Sequence, residues 1–156
     1  MAGIVEDIFI APTGGAPMRR VQLVQAEAGA GLTGDRYRDR TGYWTNVDEC
    51  QVTLIAAESL EAIAAAGAIE VGEGQHRRNI ITRGVDLHSL QGKRFAVGRA
   101  VFEYDRPRPP CGYIQGLTQR GMTKALGGDR GGICARVVAS GTISRNDAIE
   151  VLAATP

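Results

Sequence analysis

Among the residues able to do chemistry, Cys111 has the sharpest setting. It follows Pro109-Pro110 and precedes Gly112, so its backbone is rigid on one side and uncrowded on the other. A thiol held this way suits a soft metal or a persulfide, because the thiolate is both ligand and nucleophile. Arg106 and Arg108, just upstream, favour the ionised form. The competing reading is an inert, partly buried cysteine, a common fate of a free thiol. Cys50 precedes a strand and Cys134 lies within one, and both read as structural. Three widely spaced cysteines with no CxxC pair give neither a disulfide framework nor a zinc site.

A second group is basic. Arg77-Arg78-Asn79 sets two guanidinium forks and an amide side by side, a combination that can grip a phosphate or the polar edge of a heterocycle. Strand alternation would place Arg77 and Asn79 on one face and Arg78 on the other, so Arg77 and Asn79 are the expected pair. His76 is a neighbour, and a lone histidine is more often structural. The competing reading is two solvated arginines ahead of a strand. In Gly34-Asp35-Arg36-Tyr37, Arg36 either adds a cation to the site or pairs with Asp35 to close a loop. The run from Gly127 to Gly132 contains Arg130 and could form a backbone nest for an anion, or only a flexible turn. It is neither a dinucleotide fingerprint nor a Walker loop. The only histidines, His76 and His88, lie far from any Gly-x-Ser-x-Gly and from clustered cysteines, which argues against a Ser-His-Asp triad and against a metal cage.

These residues need a scaffold, and short apolar runs of strand type supply it. Residues 4–10 read as a first strand and residues 12–17 as a loop held by breakers. Residues 20–26 alternate apolar and polar, which predicts a half-buried strand. Residues 29–44 lack helical periodicity and read as a long ordered loop, of a length that is often functional in compact domains. A strand is expected over 51–55, then a helix over 56–66 with Leu60, Ile63 and Ala64 on one face and Gly67 as its stop. Further expectations are a strand over 78–82, a hairpin from 92–98 and 99–104, a proline-stiffened bend over 106–111 and a short helix over 118–126. Residues 133–139 and 148–151 read as the last strands, joined by 141–147. With no repeat or linker, the chain is expected to be one domain over 1–156. Many short strands with one or two short helices predict a mainly β fold, a closed or nearly closed barrel with helical trim.

Composition bounds the partners. The chain has 156 residues, 44% hydrophobic and 22% charged, within the globular range. Only 5% are aromatic, so Val, Ile, Leu and Ala must build the core. A net charge of +1 argues against a nucleic-acid partner, which calls for a strongly basic face. Lys93 and Lys124 are the only lysines beside sixteen arginines. Arginine's planar fork suits oxyanions, although codon bias would give the same ratio. There is no basic, apolar leader and no apolar run of the ~18–20 residues that span a bilayer. No membrane partner is therefore expected, and a reducing cytoplasm fits the cysteines.

Taken in order, these segments resemble the MOSC family, the molybdenum cofactor sulfurase C-terminal domain, in its stand-alone bacterial form. The resemblance rests on Gly34-Asp35-Arg36, on Gln51-Val52-Thr53-Leu54-Ile55 with Glu58-Ser59-Leu60, on Arg77-Arg78-Asn79-Ile80, on Gly84, Leu87, Leu90 and Gly92, on Pro110-Cys111, and on the ending Gly132, Ala135-Arg136-Val137, Gly141, Ile143 and Asp147. It covers residues 29–151. Single motifs are unspecific, and their joint order carries the match. Tyr37 stands where many relatives have His, and Asn146 where Gly is usual. The resemblance implies a barrel-like β fold and the molybdenum cofactor (molybdopterin), with Cys111 as ligand of molybdenum and as the catalytic residue. Arg77 and Asn79 would hold the cofactor, joined by Arg78, Arg36 and Arg130. Enzymatic members are oxidoreductases that reduce N-hydroxylated compounds, such as hydroxylaminopurines and amidoximes. Many carry a further domain for which these residues leave no room, so an electron-transfer partner protein is expected beside the small-molecule substrate. Two other functions stay open: a sulfur carrier with a persulfide on Cys111 for metal–sulfur or cofactor assembly, and a non-catalytic module that binds an anionic small molecule.

Overall fold

Alternating side chains build the wall of a barrel. The computed structural model describes residues 2–42, 50–66, 74–108 and 128–153. Their elements are β1 (Ala2–Ile10), β2 (Arg19–Arg20), β3 (Leu23–Glu27), β4 (Gly31–Leu32), α1 (Arg36–Asp39), β5 (Val52–Ala56), α2 (Ala57–Ala65), β6 (Ile80–Arg83), β7 (Arg94–Val97), β8 (Ala100–Pro107), β9 (Ile133–Ala139), β10 (Gly141–Ser144) and β11 (Ala148–Val151). Two 3₁₀ turns, Leu87–Leu90 and Gly128–Gly131, complete them.

The strands run β11-β7-β8-β9-β5-β6-β1, and β11 pairs back onto β1, with Gly3 opposite Ile149. Closure removes the sheet edges that would otherwise stay open. β2 extends the far end of β1, and β10-β3-β4 forms a small separate sheet. The β5–β6 pair is parallel, which demands a crossover, and α2 lies within it. The mainly β barrel expected from the sequence is therefore the fold.

On β8 the inward residues Ala100, Phe102 and Tyr104 are buried, while Val101, Glu103 and Asp105 between them are only half-buried. On β1 a bulge between Val5 and Asp7 shifts the register against β6. Such an extra residue changes the parity of the alternation, so Val5, Ile8 and Ile10 all reach the barrel interior. Phe9 then points outward and joins Ile55, Ile81, Leu60 and Ile63 in a second cluster under α2. Each such side chain contributes roughly 1.5–3 kcal/mol by leaving water.

Several local expectations change. The strand expected over 20–26 is divided: the Val21 amide donates to Ile8 O at 2.9 Å, keeping β2 on β1, while β3 leaves to pair with β10. The loop expected over 29–44 contains β4 and α1. The strand expected from residue 78 begins at Ile80, and the linker expected over 141–147 carries β10. Asn146 takes φ 73°, a left-handed turn that Asn tolerates. Cys111, the end of the proline bend and the helix expected over 118–126 lie outside the described residues. Among the described residues no helix is long and apolar enough to cross a membrane.

Candidate functional site

Asp35 organises the first part of the site. Its side chain caps α1 by accepting from the Tyr37 amide at 3.3 Å, as a short carboxylate at an N-cap does. It also accepts from the Ala11 amide at 3.0 Å and from Arg36 Nη1 at 3.1 Å. These bonds tie α1 to the end of β1 and fix Arg36, whose side chain is buried. From there Arg36 Nη2 donates to Arg77 O at 3.1 Å and to the Tyr37 hydroxyl at 3.3 Å. The guanidinium also lies 4.4 Å from the Tyr37 ring centre, within cation–π range.

Arg77, Arg78 and Asn79 do not form the extended pair that alternation suggested. Arg77 has φ 60°, a conformation costing an L-residue roughly 1–2 kcal/mol. Its Nη1 donates to Ala16 O at 2.6 Å. Arg78, 5% exposed, donates to Gly131 O at 2.8 Å and to Arg108 O at 3.1 Å. Arg108 in turn donates to the Tyr37 hydroxyl at 3.4 Å. Arg36, Arg77, Arg78 and Arg108 are thus all buried and linked through carbonyls and Tyr37. Asp35 ion-pairs with Arg36 in this group. Burial first, then the positive charges of Arg108 and Arg36, push Arg78 down to about 10. It therefore stays charged at neutral pH, in surroundings that disfavour the charge.

Asn79 is fully buried. Its Oδ1 accepts from the Thr53 amide at 3.0 Å and hydroxyl at 3.1 Å, and its Nδ2 donates to Phe9 O at 3.1 Å. This side chain fastens β1 and β5 to the arginine segment. His76 is also fully buried. Its Nδ1 accepts from the Arg78 amide at 2.8 Å, which fixes the neutral ring. Arg130 is exposed on the 128–131 turn, beside the Gly131 carbonyl that accepts from Arg78.

Of the residues singled out in the sequence, Arg36, Arg77, Arg78 and Asn79 thus come together, with Arg130 at the rim. Tyr37 and Arg108 were not expected to bridge them. The only signals were Tyr37 adjoining Arg36 and Arg108 lying between two prolines. The two cysteines read as structural prove to be neighbours: Cys50 Sγ stands 2.6 Å from Cys134 Sγ. Cys50 also lines a cavity of 310 Å³ with Tyr37 and Gln51.

Comparison with known proteins places the chain. No curated protein sequence is a significant match. Among solved structures, the YuaD protein from Bacillus subtilis superposes with a TM-score of 0.76 at 21% identity, covering 99% of this chain and 98% of that one. YiiM from Geobacillus stearothermophilus gives 0.74 at 15% identity, over 97% of this chain and 75% of that one. YiiM from Escherichia coli gives 0.69 at 18% identity, over 99% and 71%. These likenesses show a shared fold. The sequence itself matches the MOSC domain over residues 30–150, the stretch that holds the barrel from β5 to β11 and all four buried arginines, and the chain belongs to the MOSC domain family.

Proposed function

We propose that the chain binds the molybdenum cofactor, molybdopterin, at the arginine cluster and takes part in reducing N-hydroxylated compounds with electrons from a partner protein. The observation that carries this reading is Arg78, a buried guanidinium held by two carbonyl oxygens with Arg36 and Arg108 close by. Buried charge is costly unless an opposite charge compensates it. A phosphate-tailed ligand supplies that charge in the form guanidinium forks bind best, so the donor set fits the cofactor. Family membership points to the same group.

In this reading Arg36, Arg77 and Arg78 hold the anionic tail, with Arg130 at the rim. Asn79 shares in the binding by fixing the backbone beneath them. Tyr37 keeps Arg36 and Arg108 together. Cys111, outside the described residues, ligates molybdenum. When bound, the cofactor supplies the two-electron redox centre.

The test is elemental analysis of protein made in a host able to synthesise the cofactor, with wild type and Cys111→Ala side by side. Near-stoichiometric molybdenum in wild type and none in the variant is the expected result. Metal in neither contradicts the cofactor reading, and a persulfide found on Cys111 by mass spectrometry would then favour the sulfur carrier.

A further inference from the structure

Cys50 and Cys134 are 84 positions apart, and strand pairing brings them together. Cys134 lies opposite Thr53 in the β5–β9 register, and Cys50 stands just before β5. Their sulfurs are 2.6 Å apart. A disulfide bond is about 2.05 Å long, so closing the pair requires only a small side-chain rotation.

The two thiols differ in access. Cys134 is fully buried, whereas Cys50 is 6% exposed and forms part of the wall of the 310 Å³ cavity. A reagent entering that cavity meets Cys50 first, with Cys134 directly behind it. The same cavity is lined by Arg38, Arg40, Arg136 and Asp105, with Arg38 paired to Glu27 and Asp39 and Arg136 paired to Glu103 and Asp105. Arginine side chains lie near the pair. The hydrogen bond from Cys50, with Arg108, Arg106 and Arg78 nearby, lowers the Cys134 thiol, while burial raises Cys50.

We propose that Cys50 and Cys134 form a redox-active dithiol that reduces a small disulfide entering this cavity and is itself oxidised to an intramolecular disulfide. The Cys50 thiol first gives its proton to solvent. The Cys50 thiolate attacks one sulfur of the incoming RS–SR, forming Cys50–S–SR and releasing RS⁻, which then takes the proton from Cys134. The Cys134 thiolate attacks the Cys50 sulfur, forms the Cys50–Cys134 bond and releases the second RS⁻. The protein loses two electrons, and the substrate gains them as RSH and RS⁻. Thiol–disulfide exchange follows this course wherever a thiolate reaches an accessible disulfide. This chemistry requires neither Cys111 nor a ligand at the arginine cluster.

The test exposes the folded full chain to oxidised glutathione and maps the thiols by mass spectrometry without reduction. In wild type, which needs no substitution in the pair, a crosslink between the Cys50 and Cys134 peptides is expected. In Cys111→Ser, two thiols should disappear per chain. Cys134→Ser should trap glutathione on Cys50, and Cys50→Ser should leave Cys134 unreacted. Free thiols at both positions in wild type, or a stable glutathione adduct there without the crosslink, would overturn the proposal.

Discussion

His76 has no exposed surface, and its Nδ1 is committed to the Arg78 amide. A proton there would break that bond and add a charge among arginines. Burial, reinforced by Arg78, Arg77 and Arg20, lowers its pKa from 6.5 to about 3. Between those values the unfolded chain binds a proton that the folded chain refuses. His76 therefore contributes its full stability above about pH 6.5 and loses it as pH falls toward 3, by up to about 1.4 kcal/mol per pH unit. Urea denaturation at pH 7, 5.5 and 4 should show a shallower pH slope for His76→Gln than for wild type. Equal slopes would contradict this account. Asn79→Ala makes a second prediction at this scale. It strands the Thr53 amide and the Phe9 carbonyl in the interior, and the expected loss is about 2–4 kcal/mol by denaturant unfolding. Both residues were visible in the sequence as neighbours of the arginines. Their roles were not, because the partners of Asn79 lie on β1 and β5, far along the chain.

At the scale of elements, the start of β9 decides whether the site can form. Gly132 has φ 86°, and a Cβ there would collide with the Leu54 carbonyl oxygen. Backbone cannot swing aside as a side chain can. Gly132 O also accepts from the Arg108 amide at 2.9 Å, so pushing β9 off β5 moves Arg108 as well. Gly132→Ala is expected to cost about 3–5 kcal/mol, read as low soluble yield and a lower urea midpoint. An unchanged midpoint would show that the strands yield more easily than this geometry allows. Strands such as β8 were legible because their alternation is strict. The segment before β6 was misread because Arg77 turns left-handed and the ladder starts only at Ile80. α1 was missed because its four residues are too few to show a period, and only its cap, Asp35, marked it.

Across the whole molecule, closure of the barrel depends on β11, which pairs with both β1 and β7. Ile149 sits in that seam, fully buried. Ile149→Ala should cost about 2–5 kcal/mol by removing core volume. Leu23→Ala, at a side chain 59% exposed on β3, should change stability by less than about 0.5 kcal/mol. Comparable losses in calorimetry would mean that the seam does not hold the barrel. The family and barrel were legible because ordered motifs and strand periods survive in one sequence. The meeting of Cys50 with Cys134, and of Tyr37 with Arg108, was not, because pairing register between distant strands leaves no local mark. The central claim is that buried guanidinium groups hold a phosphate-tailed cofactor, and bound pterin per chain tests it most directly. Wild type, Arg36→Gln and Cys111→Ala would be purified from a cofactor-producing host, their folding checked by circular dichroism, and the oxidised pterin released and measured by fluorescence. The account predicts near-stoichiometric pterin in wild type and a marked loss in folded Arg36→Gln. In Cys111→Ala, pterin should be retained better than metal. Wild-type protein carrying no pterin, or Arg36→Gln carrying as much as wild type, would contradict it.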